Sequence, residues 1–103
     1  MARFMTRVVL HDAANDREIY EKLHEYMAAA GFSKTIKGAL GSAPYTGELP
    51  DAMYDYHTTD EAVKAVNVKD KAKAAAGQTK KRYSVLTVEY IDWAGSGLTA
   101  LKP

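Results

Sequence analysis

The stretch RFMTRVVLH, residues 3–11, is the part of the chain around which the predicted fold is organised. Its side chains alternate between two faces and several are β-branched, so it is predicted to be a β-strand. One face carries side chains suited to a core: Phe4, Thr6, Val8 and Leu10. The other face carries an arginine and a histidine, so we expect the first face to be the buried one.

A helix is predicted directly after this strand, over residues 16–30. Asn15 and Glu18 have the spacing of a capping box, which marks a helix start. Apolar side chains then recur along one helical stripe: Ile19, Tyr20, Leu23, Tyr26, Met27 and Ala30. Gly31 follows the last turn, where a left-handed residue commonly ends a helix.

Two further strands separated by a long connection are predicted in the middle of the chain. Residues 32–37 and 52–58 have strand-like patterns, and they are expected to form a hairpin. Residues 38–50 are predicted to be the connection between them. The glycines and the proline of residues 38–44 indicate a loop, and residues 45–50 either form a short ribbon or stay irregular. A loop of that length is often functional. Tyr54 and Tyr56 share one side of their strand, and we expect them in the core rather than stacked on bases.

One more helix and one more strand are predicted in the second half. Thr58 to Glu61 carries helix-start signals, and residues 62–76 are rich in helix formers, with Gly77 as the stop. Asn67 with Asp70 is a candidate internal break. Two apolar registers compete within the helix: Val63 with Val66, or Val68 with Ala72, Ala75 and Ala76. Residues 83–92 alternate again and predict the last strand.

This order of elements is that of the split βαβ, or ferredoxin-like, fold. We therefore predict an α+β domain over residues 1–92, with a βαββαβ order and a flexible C-terminal tail over residues 93–103. Two helices are expected to cover one face of a four-stranded antiparallel sheet. The uncovered face, called the open face, is expected to carry a mixed set of side chains: Met5, Arg7, Val9, His11, Met53, Asp55, His57 and Glu89.

The composition is that of one small globular domain. The chain has 103 residues, 47% of them hydrophobic and 26% charged, with a formal net charge of +1. It contains no cysteine, which excludes disulfides and cysteine–zinc sites. Its apolar runs are far shorter than the ~20 residues that span a bilayer, and its first residues lack the apolar core of a secretory signal. A cytoplasmic protein with no membrane partner is the simplest interpretation.

The charges are unevenly distributed along the chain. Residues 69–82 hold six Lys or Arg residues and one Asp, whereas residues 48–61 hold five acidic residues and no Lys or Arg. A basic helix that leads into a strand can bind phosphates, although a solvated helix face is the alternative for such a run. The acidic stretch lacks the spacing of a calcium loop. The candidate RNA-binding residues are Lys69, Lys73, Lys80, Lys81 and Arg82.

Asp12 lies at the end of the first strand, directly before the helix cap. A carboxylate at such a strand-to-helix turn can bind a divalent ion or orient a water molecule. The alternative is that Asp12 only caps the turn, as aspartate commonly does.

Three histidines are candidates for proton transfer. Cleavage of RNA through its 2′-hydroxyl needs a base and an acid, and histidine titrates in a suitable range. The structural alternatives are an exposed helix residue for His24, and a surface pairing with Asp55 or Glu89 for His11 and His57. No Ser-His-Asp order, phosphate loop or HExxH motif is present.

Five segments together resemble the GhoS-like family, small antitoxins of type V toxin–antitoxin systems. They are MARFMTRVVLHD (1–12), YEKLHEYMAAAGF (20–32), LPDAMYDY (49–56), KAKAAA (71–76) and YSVLTVE (83–89). The resemblance implies a ferredoxin-like fold similar to that of the CRISPR-associated Cas2 proteins. It also implies a sequence-selective endoribonuclease, a hydrolase that cuts the messenger RNA of the toxin.

The resemblance also implies roles for two residues. In Cas2 proteins an aspartate at the corresponding strand end is implicated in metal binding, which makes Asp12 the candidate ligand for magnesium or manganese. In the GhoS-like family a basic residue on the first helix is linked to RNA cleavage, and His24 takes that position here, where the family has arginine. Residues 38–48 and 60–67 depart from the family pattern.

Two main hypotheses follow. The first is an endoribonuclease, homodimeric through its open face or an edge strand, in which Asp12, His24 and His11 are catalytic and the basic residues hold the phosphates of RNA. The second is a non-catalytic dimeric module that binds a partner protein or nucleic acid and uses the open face, with Met5, Val9 and Met53. A small-molecule sensor is a third possibility, for which the glycine-containing residues 38–47 are the only hint.

Overall fold

The computed structural model describes residues 2–12, 16–40, 43–50, 52–96, 98 and 100–101. Within them, helices and strands of an α+β domain are present, which confirms the predicted class. The elements in chain order are β1 (Ala2–Leu10), α1 (Arg17–Ala29), β2 (Thr35–Leu40), β3 (Ala43–Glu48), β4 (Met53–Thr58), α2 (Ala65–Gly77), β5 (Tyr83–Glu89) and β6 (Ala100–Leu101).

A three-stranded antiparallel sheet with the order β4-β1-β5 forms the centre of the molecule. Thr6 of β1 lies opposite Tyr54 on one side and Thr87 on the other. The hydroxyl oxygens of Thr6 and Thr87 are 2.7 Å apart and form a hydrogen bond across the strands. Thr6 can therefore be fully buried at little cost, because its hydroxyl has a hydrogen-bond partner.

The predicted fourth strand of this sheet is reduced to a single bridge. Ser33 and Asp55 exchange two backbone hydrogen bonds of 2.8 Å each, and beyond that point the chain leaves the edge of β4. Residues 35–40 instead form β2, which pairs with β3 in a second antiparallel sheet of order β2-β3-β6. Pairing with the next segment of the chain closes a shorter loop than pairing with β4, and a shorter loop costs less entropy.

The loop predicted over residues 38–44 is wrong where β2 and β3 extend into it, and of the two alternatives for residues 45–50 the ribbon is the one found, as part of β3. Pro44 is compatible with this strand because β6 pairs with only Thr46 and Gly47, so the described part of β3 has one partner strand at Pro44. The same pairing attaches Ala100 and Leu101, from the segment predicted as a flexible tail, to the second sheet.

Both helices pack on one face of the central sheet, as predicted. The face of β1 formed by Phe4, Thr6, Val8 and Leu10 is buried beneath them. Leu23 and Met27 of α1 join the same core. In α2 the second of the two predicted registers is the buried one: Val68, Ala72, Ala75 and Ala76. Val66 is 56% exposed, so the competing register is wrong.

The helix ends differ slightly from the predicted ones. Asp16, rather than Asn15, caps α1, since its Oδ1 accepts a hydrogen bond of 3.0 Å from the backbone N–H of Ile19. Asn15 lies outside the described residues. Gly31 has a φ of +97° and ends α1 as predicted.

The second helix begins at Ala65, three residues after the predicted start. Residues 59–62 form a turn instead, in which the Oγ1 of Thr58 accepts from the N–H of Asp60. Asn67 does not break the helix: its Oδ1 accepts a bond of 2.8 Å from the N–H of Lys64 and so caps the start. In the described part of the chain, the helices are too short and too polar to cross a membrane.

Candidate nucleic-acid interface on the open sheet face

The open face of the central sheet carries three rows of side chains. The register of β1 with β4 places Met53, Asp55 and His57 there, and these were predicted correctly. Glu89 was predicted on this face, but it pairs with Phe4 and so belongs to the helix-covered side. The residues that β5 contributes to the open face are Ser84, Leu86 and Val88, with Tyr90 directly after the strand.

A cluster that we call the basic end lies where β1 ends and β5 begins. It consists of His11, Asp12, Lys80, Lys81 and Arg82. The backbone N–H of His11 donates a hydrogen bond of 2.8 Å to the carbonyl of Arg82, which holds the two segments together. The Nη2 of Arg82 also lies 3.1 Å from the Oδ2 of Asp12.

Four of the five residues of the basic end are exposed to solvent, and Lys81 is half-buried. The side chains of Arg82 and Asp12 are 82% and 78% exposed, so the energy of this ion pair is small in water. Asp12 has a φ of +59°, a left-handed conformation that aspartate tolerates better than most residues. The backbone of Asp12 is therefore that of a turn residue, in agreement with the alternative that this aspartate only caps the turn. Its carboxylate nevertheless pairs with Arg82.

His11 is one of the predicted catalytic residues, and the structure places it within the basic end. Its Nε2 lies 2.8 Å from the Oγ of Ser84 on the open face. This contact is a hydrogen bond between exposed groups. The sequence alternative paired His11 with Asp55 or Glu89, and the partner found is Ser84 instead. An exposed imidazole beside a cationic segment is accessible to a ligand from solvent.

His24 lies on the opposite side of the sheet from His11. Its Nδ1 is 2.5 Å from the hydroxyl oxygen of Tyr54, which belongs to the helix-covered core. Burial raises the pKa of Tyr54, so its hydroxyl stays protonated at neutral pH. The structure thus separates His24 from His11 and Asp12, and His24 is half-buried rather than an exposed helix residue.

The five predicted RNA-binding residues fall into two groups. Lys80, Lys81 and Arg82 lie in the basic end. Lys69 and Lys73 lie one turn apart on α2, which packs against the covered face, and the Nζ of Lys69 is 2.9 Å from the Oδ1 of Asp70. The structure therefore brings three of the five together with His11 and Asp12.

A second cluster on the open face surrounds the carboxylate of Asp55, whose side chain is 5% exposed. The hydroxyl of Tyr90 donates to its Oδ1 at 2.5 Å, and the Nε2 of His57 lies 2.7 Å from its Oδ2. The guanidinium carbon of Arg3 lies 4.9 Å from the centroid of the Tyr90 ring. We call these four residues the Asp55 cluster.

The pairing of His57 with Asp55 was among the sequence alternatives and is confirmed. Arg3 and Tyr90 were missed as members of this cluster. The alternation of side chains along β1 could have placed Arg3 on the open face, since Arg3 lies two residues before Met5. Burial and the bond to Asp55 raise the pKa of Tyr90 to about 12.

The two clusters lie at opposite ends of the open face. Arg3 and His11 are eight residues apart on one extended segment, a separation of ~26 Å. Between them Leu86 is 67% and Val88 is 47% exposed, and the exposed Arg7 lies beside Leu86. The open face is thus a long surface with a charged cluster at each end and mixed apolar and basic side chains between them.

The residues at Asp12 do not fit a divalent cation as they stand. A guanidinium occupies the position beside the carboxylate that a cation would take. Across the described residues, no group of three or more His, Asp or Glu side chains is arranged to hold a metal ion. Magnesium commonly uses one or two carboxylates together with substrate phosphates, so a metal here would depend on the substrate.

Comparison with known proteins adds no assignment. No protein-family model, curated protein or solved structure matches this chain.

Proposed function

We propose that this protein binds RNA at the basic end and acts there as a small antitoxin-type endoribonuclease. The observation that carries the proposal is the convergence of His11 and Asp12 with the cationic segment before β5, by way of the His11–Arg82 backbone bond. The two segments are separated by about seventy positions in the chain, as the contact between Asp12 and Arg82 shows. The fold therefore assembles this group.

The charge of the basic end suits a phosphate backbone. The group contains three consecutive cations and one carboxylate, that of Asp12, so its net charge is positive. Lysine and arginine side chains supply most contacts to phosphate, and such contacts position a nucleic acid without reading its sequence. Lys80 and Arg82 are exposed, which leaves their charged groups accessible to solvent and to a ligand.

His11 is the residue that we assign to the chemical step. In cleavage through the 2′-hydroxyl, the imidazole takes the hydroxyl proton while the 2′-oxygen forms a bond to phosphorus. The bond from phosphorus to the 5′-oxygen breaks, and that oxygen takes a proton from water. The products are a 2′,3′-cyclic phosphate and a 5′-hydroxyl end. No step in this scheme uses a metal ion.

We also propose that the central sheet is a ferredoxin-like sheet with a shortened fourth strand. The strands run in the order β5, β1, β4, followed by Ser33 at the outer edge of β4. This is the order in which the four strands of a βαββαβ domain would lie. The bridge at Ser33 supports the proposal, and the second sheet would then be an addition to it.

RNA binding is tested with a fluorescent single-stranded RNA and anisotropy over a series of salt concentrations. Because each lost phosphate contact removes about 0.7 from the slope of log K against log salt, the variant Lys80→Ala/Lys81→Ala/Arg82→Ala should lower the slope by about 2. Lys69→Ala/Lys73→Ala is the matched control, and its slope should stay close to that of the unmodified protein. Equal losses in both variants would contradict the location of the site.

Cleavage is tested by incubating the protein with a mixed RNA pool and identifying the ends of the products. His11→Ala should abolish cleavage and keep binding, whereas His24→Ala should keep cleavage if its fold is intact by circular dichroism. EDTA should leave cleavage unchanged. Loss of cleavage with EDTA, and recovery with magnesium or manganese, would replace the metal-free scheme with one based on Asp12.

The non-catalytic binding module is the second candidate, and the exposed Leu86 and Val88 favour it. RNA that is bound but left uncut under all these conditions would support this module with RNA as its partner. An absence of RNA binding at low salt would contradict the first proposal entirely.

A further inference from the structure

The outer edge of β5 is an unpaired strand edge in the described part of the chain. β5 lies at one end of the order β4-β1-β5, so only one of its two edges is paired, the one that faces β1. Such an edge presents unpaired N–H and C=O groups that can pair with another strand. The opposite edge, at β4, is occupied in part by the Ser33 bridge.

Most of β5 lacks the devices that usually protect an edge. Residues 83–88, Tyr-Ser-Val-Leu-Thr-Val, contain no charged residue and no proline, and the one charged residue of the strand, Glu89, is its last. Lysine, proline or an inward-facing charge commonly blocks pairing at exposed edges. Two large apolar side chains, Leu86 and Val88, are instead 67% and 47% exposed beside this edge.

The charges that flank β5 are complementary under a two-fold rotation. Lys80, Lys81 and Arg82 precede the strand, and Glu89 and Asp92 follow it. In an antiparallel pair of two identical strands, the beginning of one lies beside the end of the other. The basic segment of each copy would therefore face the acidic segment of its partner at both ends of the interface.

We propose that a second copy of this chain pairs with β5 edge to edge, antiparallel and centred on Leu86. This register pairs all seven residues of β5, with Tyr83 opposite Glu89 and Ser84 opposite Val88. Because opposite residues point to the same face, the two Leu86 side chains meet on the open face. The result is a continuous six-stranded sheet with the helices of both copies on one side. The interface uses Lys80, Lys81 and Arg82 as well, residues that also belong to the proposed RNA site, but its formation does not require RNA.

The register is tested by single-cysteine crosslinking, because the chain contains no other cysteine. Directly opposite positions in an antiparallel pair have Cα atoms about 4.5–5.5 Å apart, within the range of a disulfide. Leu86→Cys should give a covalent dimer under mild oxidation. Ser84→Cys is the matched control, since its two copies would be four residues out of register, ~13 Å apart. Equal crosslinking at both positions, or none at Leu86→Cys, would overturn the proposed register.

The dimer itself is tested by light scattering coupled to size exclusion over a range of protein concentrations. The unmodified protein should shift toward twice its monomer mass as concentration rises, and Leu86→Lys should remain monomeric because it places two like charges opposite each other. In this register Glu89 of the partner lies opposite Tyr83 and diagonal to Lys81, within reach of the long lysine side chain. Lys81→Glu and Glu89→Lys should therefore each weaken the dimer at least several-fold, and the variant carrying both changes should recover it. A monomer at every concentration, or no recovery in the double variant, contradicts the proposal.

Discussion

At the scale of single residues, the Asp55 cluster shows how a charged group is stabilised on an otherwise accessible face. The carboxylate is nearly buried, and burial of an ionised group is costly unless hydrogen bonds and a countercharge compensate. Tyr90 and His57 provide two donors, and Arg3 lies over the Tyr90 ring. The hydrogen bonds of this cluster connect all three strands of the central sheet, because Tyr90 follows β5 and also bonds to Arg3 through its backbone N–H.

Tyr90→Phe should destabilise the protein by about 1–3 kcal/mol, because a nearly buried acceptor loses one of its donors. The measurement is the free energy of unfolding in urea. Tyr83→Phe, at the beginning of β5, is the matched control, and it should change the stability by less than about 0.5 kcal/mol. A loss of equal size in both variants would show that the Asp55 cluster contributes little.

The two tyrosines with raised pKa values predict a loss of stability at alkaline pH. Tyr90 titrates at about 12 in the folded protein and at 10.0 in an unfolded chain, and burial raises the pKa of Tyr54 as well. Since the folded state holds these protons more tightly, its stability is complete below pH 10 and falls as pH rises toward 12. Urea midpoints across this interval should therefore decrease with pH.

Tyr90→Phe should make that decrease shallower, because one of the two titrating groups is removed. Absorbance at 295 nm, which follows tyrosinate formation, provides the second readout. A midpoint that stays constant with pH in the unmodified protein would contradict the linkage.

At the scale of elements, the end of α1 determines where the chain turns toward Ser33 and the second sheet. Gly31 has a φ of +97°, and a Cβ added there would lie 3.3 Å from the ring of Tyr56. Both the backbone and the neighbouring ring therefore favour glycine at this position. Gly77, at the end of α2, has no atom within 4 Å of the position of an added Cβ.

These two glycines form a matched pair for mutation. Gly31→Ala should lower the stability by about 1–2 kcal/mol, the cost of placing a side chain in the left-handed region. Gly77→Ala should raise it by about 0.4–1 kcal/mol, because alanine restricts the unfolded chain and meets no obstacle. Thermal unfolding followed by circular dichroism measures both, and changes of the same sign would refute the argument.

At the scale of the whole molecule, Lys34 connects the second sheet to the central one. Its Nζ donates hydrogen bonds to the carbonyls of Pro50 at 2.9 Å and of Met53 at 3.2 Å. The same group lies 5.2 Å from the centroid of the Tyr54 ring. The segment that enters β4 is thus held against the segment that enters β2.

Lys34→Met keeps the aliphatic length of the side chain and removes the charge and the donors. We expect amide hydrogen exchange to become at least several-fold faster in β2 and β3, while the amides of β1 keep their protection, because local opening affects the attached sheet first. Lys37→Met, on the exposed part of β2, is the control and should leave exchange unchanged. A uniform increase across both sheets would contradict this division.

Local pattern was sufficient to predict most elements of this protein and the buried face of β1. The alternation of residues 3–11 and the stripe of α1 depend only on neighbours in the chain, and hydrophobic side chains on one face leave few alternatives. The buried face of β5 could not be predicted in this way, because Val85 and Thr87 on one face resemble Leu86 and Val88 on the other. A pattern that is apolar on both sides does not indicate which side is buried.

Only the tertiary structure decided which strands pair and which polar groups meet. The attachment of β6 to β3, the contact of His24 with Tyr54, and the Asp55 cluster all join segments far apart in the sequence. Alternative strand pairings have similar local energies. Which pairing forms depends on the entropy of loop closure and on side-chain complementarity across the whole chain. The sequence by itself determined both helices, most of the strands and the residues available at each end of the open face. Their assembly into the basic end and the Asp55 cluster required the pairing of β1 with both of its neighbours.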